Sequence, residues 1–137
     1  MVSLRQRKSF HEAGHCAAAI AYGIPIISVS IAGDTPHLHR GQLECMTTFC
    51  LAGPAAEELF CGAITDGSDQ VDYEMARTYL ARRFDPLRIG VEIGGARDAA
   101  GRLVKDQQQR MRAIAAALLE HGTLSGEDIA GITSGTG

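Results

Sequence analysis

His11-Glu12-Ala13-Gly14-His15 constrains this chain more than any other stretch. The pattern H-E-x-x-H makes chemical sense on a helix, where residues i and i+4 stand one above the other on one face. Two imidazoles then meet at a single cation. Glu12 lies one position round the helix, within reach of a water on that cation. Zinc held by two histidines and a carboxylate, with a fourth position left for water, is the standard hydrolytic arrangement. A bare five-residue motif also arises by chance, so it requires a helix around it and a third ligand from elsewhere.

The flanking residues predict that helix. Residues 3–22 contain no proline, Gly14 is their only glycine, and Phe10, Ala13, Ala17, Ile20 and Ala21 recur at helical spacing. Gly23 and Pro25 supply the stop. A glycine inside a helix costs about 1 kcal/mol relative to alanine. Gly14 is understandable if only a hydrogen atom fits between this helix and something packed on it. Two starts compete, because Ser9-x-x-Glu12 and Ser3-x-x-Gln6 both read as capping boxes. The first turns Glu12 back to the Ser9 amide and removes it from any chemistry. The second leaves Ser9 inside the helix.

A length of 137 residues predicts one domain over 1–137, large enough for a modest core. Apolar residues make up 45% of the chain but aromatics only 5%, so that core has to rest on Ala, Leu, Ile and Val. The net charge is −3 and the Lys and Arg residues are dispersed, which argues against a nucleic-acid partner. The longest apolar run, 16–27, is broken by Gly23 and Pro25 and falls short of the roughly 20 residues that span a bilayer. No secretory signal precedes the motif, so a cytoplasmic setting is expected. Cys16, Cys45, Cys50 and Cys61 form no C-x-x-C pair and no zinc-ribbon spacing, and are expected as free thiols.

After the first helix, 24–32 (I-P-I-I-S-V-S-I-A) alternates, with Ile27, Val29 and Ile31 on one face and Ser28 and Ser30 on the other. That pattern predicts a half-buried strand. Residues 33–41 (G-D-T-P-H-L-H-R-G) read as a loop whose His37 and His39 are solvated rather than ligands. An apolar helix is expected over 47–61, either kinked at Gly53-Pro54 or restarted at Pro54. Glu57 and Glu58 in it read as helix-start charge or as a carboxylate near the metal. Residues 62–71 are turn-rich and lead to a helix over 72–84, where Asp66, Asp69 and Asp72 suit a cap. A loop or short hairpin is expected over 85–95, then one long helix over 96–121 ended by Gly122. Ser125-x-x-Asp128 opens a short last turn, and the tail from about 131 to 137 is expected to be disordered. The predicted class is mainly α (α+β), with one or two short strands.

Three ordered blocks resemble the protease domain of the FtsH-type ATP-dependent zinc metalloproteases. They are F-H-E-A-G-H-C at 10–16, L-A-G-P-A-A-E-E-L at 51–59, and A-A-L-L-E-H-G-T-L-S-G-E-D-I at 116–129. The family shows H-E-A-G-H followed by a small residue, G-G/A-R-A-A-E-E-L, and a closing helix with an E-T-L-x-G-x-E-I turn. The resemblance covers 9–130 and implies a helical zincin-like metallopeptidase domain that binds Zn²⁺. It implies His11 and His15 as metal ligands and Glu12 as the catalytic general base. In the family the third ligand is an Asp that follows T-x-G-A-S-x-D. The corresponding stretch here, T-D-G-S-D-Q-V-D at 65–72, carries an insertion. Asp72 keeps the family's spacing to a following Ala, Ala76, so it is assigned as the metal ligand, with Asp69 the runner-up. The resemblance also implies a polypeptide substrate, paired as an extended chain with the strand at 24–32. Glu57 or Glu58 is the candidate acceptor for the second ring N–H of a zinc histidine.

The chain departs from the family pattern in several places. It has no G-x-x-x-x-G-K-[ST] phosphate loop and no membrane anchor, Pro54 replaces an Arg, and the region between the Asp72 helix and the last helix is short. A separate ATPase partner, or substrates that are already flexible, is then expected, along with assembly as a homo-oligomer. The competing class is a non-proteolytic metal-binding adaptor or assembly module on the same fold.

Overall fold

The computed structural model describes residues 2–32, 36–39, 43–62 and 69–136. In chain order these form α1 (Leu4–Ala21), β1 (Ile26–Ser30), β2 (His37–Leu38), α2 (Leu43–Cys61), α3 (Gln70–Ala81), α4 (Pro86–Asp106), α5 (Gln108–His121), β3 (Thr123–Ser125) and α6 (Gly126–Thr136). The expected mainly α architecture is observed. The described strands number three rather than one or two, and they form one antiparallel sheet ordered β2-β1-β3.

α1 is the centre of the packing. Its Ala13, Cys16, Ala17, Ala18 and Ala19 are all fully buried, and α2 and α5 press against it. Side chains this small let neighbouring backbones approach closely, and larger groups fill the far side: Phe49 and Leu51 from α2, Met111, Ile114 and Leu118 from α5. This is the aliphatic core that a chain poor in aromatics has to build. The one stacked aromatic pair among the described residues, Phe10 on Phe60 with centroids 4.4 Å apart, closes the edge between α1 and α2.

Several expectations need correction. Residues 85–95 are not a loop or hairpin; they are the first half of α4. Pro86 stands at the start of that helix, where its missing N–H is not needed, and Ile93 and Ala96 pack against the core. The expected helix over 96–121 is two helices, α4 and α5, broken at Gln107 (φ −106°, ψ 19°). The buried side chains run through the break, Val104 before it and Met111 after it, so apolar spacing did not reveal it. Ile27 is 47% exposed and does not share an inward face with Val29. A bulge between Ile26 and Ser28 in the pairing with β2 breaks the alternation there, and Ile26 packs inward instead. β1 is the middle strand, flanked by β2 and β3, so its backbone is not the free edge expected to receive a peptide. His37 lies in β2 rather than in a loop. Residues 131–136 of the expected tail are the second half of α6. Residues 65–68 of the stretch read as carrying an insertion, Asp66 among them, lie outside the described residues.

Candidate metal centre

The start of α1 decides what Glu12 is free to do. Ser3 Oγ accepts from the Gln6 N–H and the Gln6 side chain accepts from the Ser3 N–H, completing the capping box at Ser3 rather than at Ser9. Ser9 is interior and its hydroxyl donates to the Arg5 carbonyl at 2.9 Å. Glu12 is therefore no cap, and its carboxylate is buried beside the two histidines. The His11 and His15 rings lie 5.0 Å apart, nearly edge to face.

α2 supplies the floor. A Cβ on Gly14 would collide with the Ala52 carbonyl and come within 2.6 Å of the Ala56 side chain, so only glycine permits this helix pair to touch. α2 runs through Pro54 without interruption. Its Phe49 carbonyl lies 2.9 Å from His15 Nδ1. A carbonyl only accepts, so Nδ1 carries the hydrogen and Nε2 of the neutral ring is left with a lone pair. Buried Glu57 sits 3.6 Å from His11 Nδ1, whereas Glu58 is exposed.

α3 brings in the distant carboxylate. Asp72, in its first turn and 2% exposed, places Oδ2 2.9 Å from His11 Nε2 and Oδ1 3.3 Å from His15 Nε2. Asp69 precedes α3 and makes no side-chain cap bond; the carboxylate that reaches the imidazoles is that of Asp72. Glu12 also offers an oxygen within 4.8 Å of a nitrogen of each ring. The Asp72 carboxylate lies nearer to both rings, and Glu12 stands beside them. His37 and His39 are exposed on and just after β2.

Burial and charge oppose one another across this cluster. Burial disfavours charge on His11, but the Asp72 and Glu57 carboxylates outweigh it and raise its pKa above 6.5. Burial would raise Asp72 as well; its contacts with His11 and His15 win and hold it down at about 2. Burial dominates at Glu12 and pushes it up to about 7, only partly opposed by His15 and Lys8. His15 Nε2, Asp72 Oδ1 and both Glu12 oxygens are buried without hydrogen-bond partners. A lone pair on His15 Nε2 facing a carboxylate oxygen at 3.3 Å needs either a second ring proton or a metal ion between them. Zinc bonds of about 2.0 Å at tetrahedral angles put neighbouring ligand atoms roughly 3.3 Å apart, which matches this spacing. The residues present fit a zinc ion.

Sequence reasoning missed three participants. A Cβ on Gly53 would run into His15 Nε2 and lie 2.8 Å from His11 Nε2, so the bare Cα of Gly53 keeps open the space beside both ring nitrogens. The signal was a glycine retained inside an apolar helix. Lys8, four residues before Glu12, carried the spacing signal of a helical ion pair. The Phe49 carbonyl carried none, because backbone groups leave no mark in a sequence.

No family model matches the chain. It is 28% identical over 190 aligned residues to the ATP-dependent zinc metalloprotease FtsH of Thermus thermophilus, an alignment that takes in 98% of this chain and 30% of that protein. The chain thus spans under a third of its relative's length. The aligned region there is also longer than the 137 residues present here. The similarity is to one region of FtsH, and that alignment takes in nearly all of the chain.

Proposed function

We propose that this chain is a zinc-dependent endopeptidase acting as a single metallopeptidase unit over 1–137, with His11, His15 and Asp72 as metal ligands and Glu12 as general base. The observation that carries this reading is the convergence of both Nε2 atoms on one Asp72 carboxylate, with Glu12 beside them. The similarity to a zinc metalloprotease supports it. A zinc ion held there supplies Lewis acidity toward water and toward a peptide carbonyl. The chain's own residues do the rest. The Phe49 carbonyl fixes the His15 tautomer, and Glu57 lies behind His11 to orient its ring. Glu12 takes a proton from the attacking water and returns it to the leaving amine, a task suited to a carboxyl whose pKa is about 7. The substrate is a polypeptide, either already flexible or delivered by a separate ATPase. The four free thiols suit a reducing, cytoplasmic setting. Among the described residues no helix is long and apolar enough to cross a membrane.

One observation favours a second reading. His11, Glu12, His15 and Asp72 are each no more than 3% exposed, as in a structural metal site with no open position. On that reading the chain is a metal-binding adaptor. Metal analysis combined with a casein-cleavage assay separates the two. The protease should hold about one zinc per chain, lose it in His11→Ala or Asp72→Ala, and in Glu12→Gln keep the zinc while losing at least about 100-fold in activity. Zinc retention without chelator-sensitive cleavage by the wild type would establish the adaptor.

A further inference from the structure

We propose that Lys8 is a positioning residue for the Glu12 carboxylate, a role that rests on the proteolytic reading above. The two stand one helical turn apart on α1, with Lys8 Nζ 3.6 Å from Glu12 Oε1. The lysine side chain is one-third exposed and the glutamate fully buried, so the pair runs from the surface into the site. Neither Glu12 oxygen has a hydrogen-bond partner. The terminal torsion of a glutamate is broad and nearly two-fold, and without a tether the carboxylate samples orientations that do not face the reacting atoms. The Lys8 ammonium is the tether that α1 provides: it draws Oε1 toward the surface and leaves Oε2 to accept the proton. Exposed ion pairs at this spacing contribute little because water screens them. This one differs in that its anion is fully buried, so the attraction is weakly screened. Lys8 touches no metal ligand, and its loss should leave the metal in place.

The test uses the full chain with Lys8→Met, Lys8→Arg, Glu12→Gln and the double variant Lys8→Met/Glu12→Gln. Zinc content of Lys8→Met should stay at the wild-type level. In peptide cleavage its kcat should fall roughly tenfold with KM within about twofold, and Lys8→Arg should restore most of the loss. A second readout is independent of turnover. In zinc-stripped protein at about pH 8, Lys8→Met should lower the melting temperature by about 3 °C or more in the wild-type background and by much less in the Glu12→Gln background. Additive melting shifts overturn the proposal whatever the activity. So does unchanged kcat in Lys8→Met while Glu12→Gln is inactive, an outcome that leaves the protease reading standing. A zinc-loaded wild type that cleaves nothing removes the protease reading, and the catalytic role of Lys8 with it.

Discussion

Glu12 is the residue where burial and chemistry conflict. Its folded pKa of about 7 stands above the ordinary 4.5. Below 4.5 the carboxyl is protonated in both the folded and unfolded chain and contributes nothing to stability. Between 4.5 and 7 the unfolded chain releases its proton and the folded one keeps it, so rising pH destabilises the zinc-free protein; above 7 the loss levels off. The total is at most roughly 3 kcal/mol. Asp72 acts oppositely: its pKa is lowered from 3.8 to about 2, so its contribution is present above 3.8 and disappears as pH falls toward 2. Chelated Glu12→Gln should therefore match the wild type near pH 4.5 and melt higher than it near pH 8, as read by thermal unfolding across pH. Equal curves at both ends would show that Glu12 is not held protonated by burial. Gly53→Ala tests the same site by size. The added methyl meets both imidazoles, and the variant should lose zinc and about 1–3 kcal/mol of stability in urea unfolding.

At the scale of elements, two glycines in helices should respond oppositely to the same substitution. Gly14 lies between α1 and α2, where a Cβ has no room, and Gly14→Ala should cost about 1–3 kcal/mol. Gly90 is in α4 with nothing within 4 Å of an added Cβ, and Gly90→Ala should stabilise by about 0.5–1 kcal/mol. Chemical denaturation of both variants checks the pair; the same sign at both positions would contradict the packing of α1 on α2 or the helicity of 86–95. The contrast also shows what sequence reading could reach. Gly14 suggested a close helix contact because it interrupts an otherwise ordinary helical pattern. Gly90 with Pro86 suggested a loop, and was misleading because a helix that packs along only part of its surface tolerates glycine elsewhere.

At the scale of the whole molecule, the site joins α1 to α3 through side chains 61 residues apart in the chain. A zinc ion bound there binds the folded state and has no preformed site in the unfolded one. Zinc at about 100 times its dissociation constant should add roughly 2.7 kcal/mol. Chelation should then lower the wild-type melting temperature by several degrees and leave Asp72→Ala unmoved. A wild type indifferent to chelator would argue that the His11–Asp72 pair is a closed ion pair without metal. The fold around the site was legible where local pattern and packing agree, as in α1 with its capping box and buried stripe. It was not legible at Gln107 or at the Ile26–Ser28 bulge, where long-range contacts redirect a regular pattern.

The sequence by itself determined that two imidazoles and a carboxyl share one helix, because spacing along a helix is fixed by its 3.6-residue turn. It determined the aliphatic character of the core, because composition offered little else. Only the tertiary structure decided which carboxylate meets those imidazoles, that Ser3 rather than Ser9 caps the helix, and that β1 is enclosed on both sides. Each of these depends on how separate segments come to rest against one another, and no local periodicity encodes the distance between them.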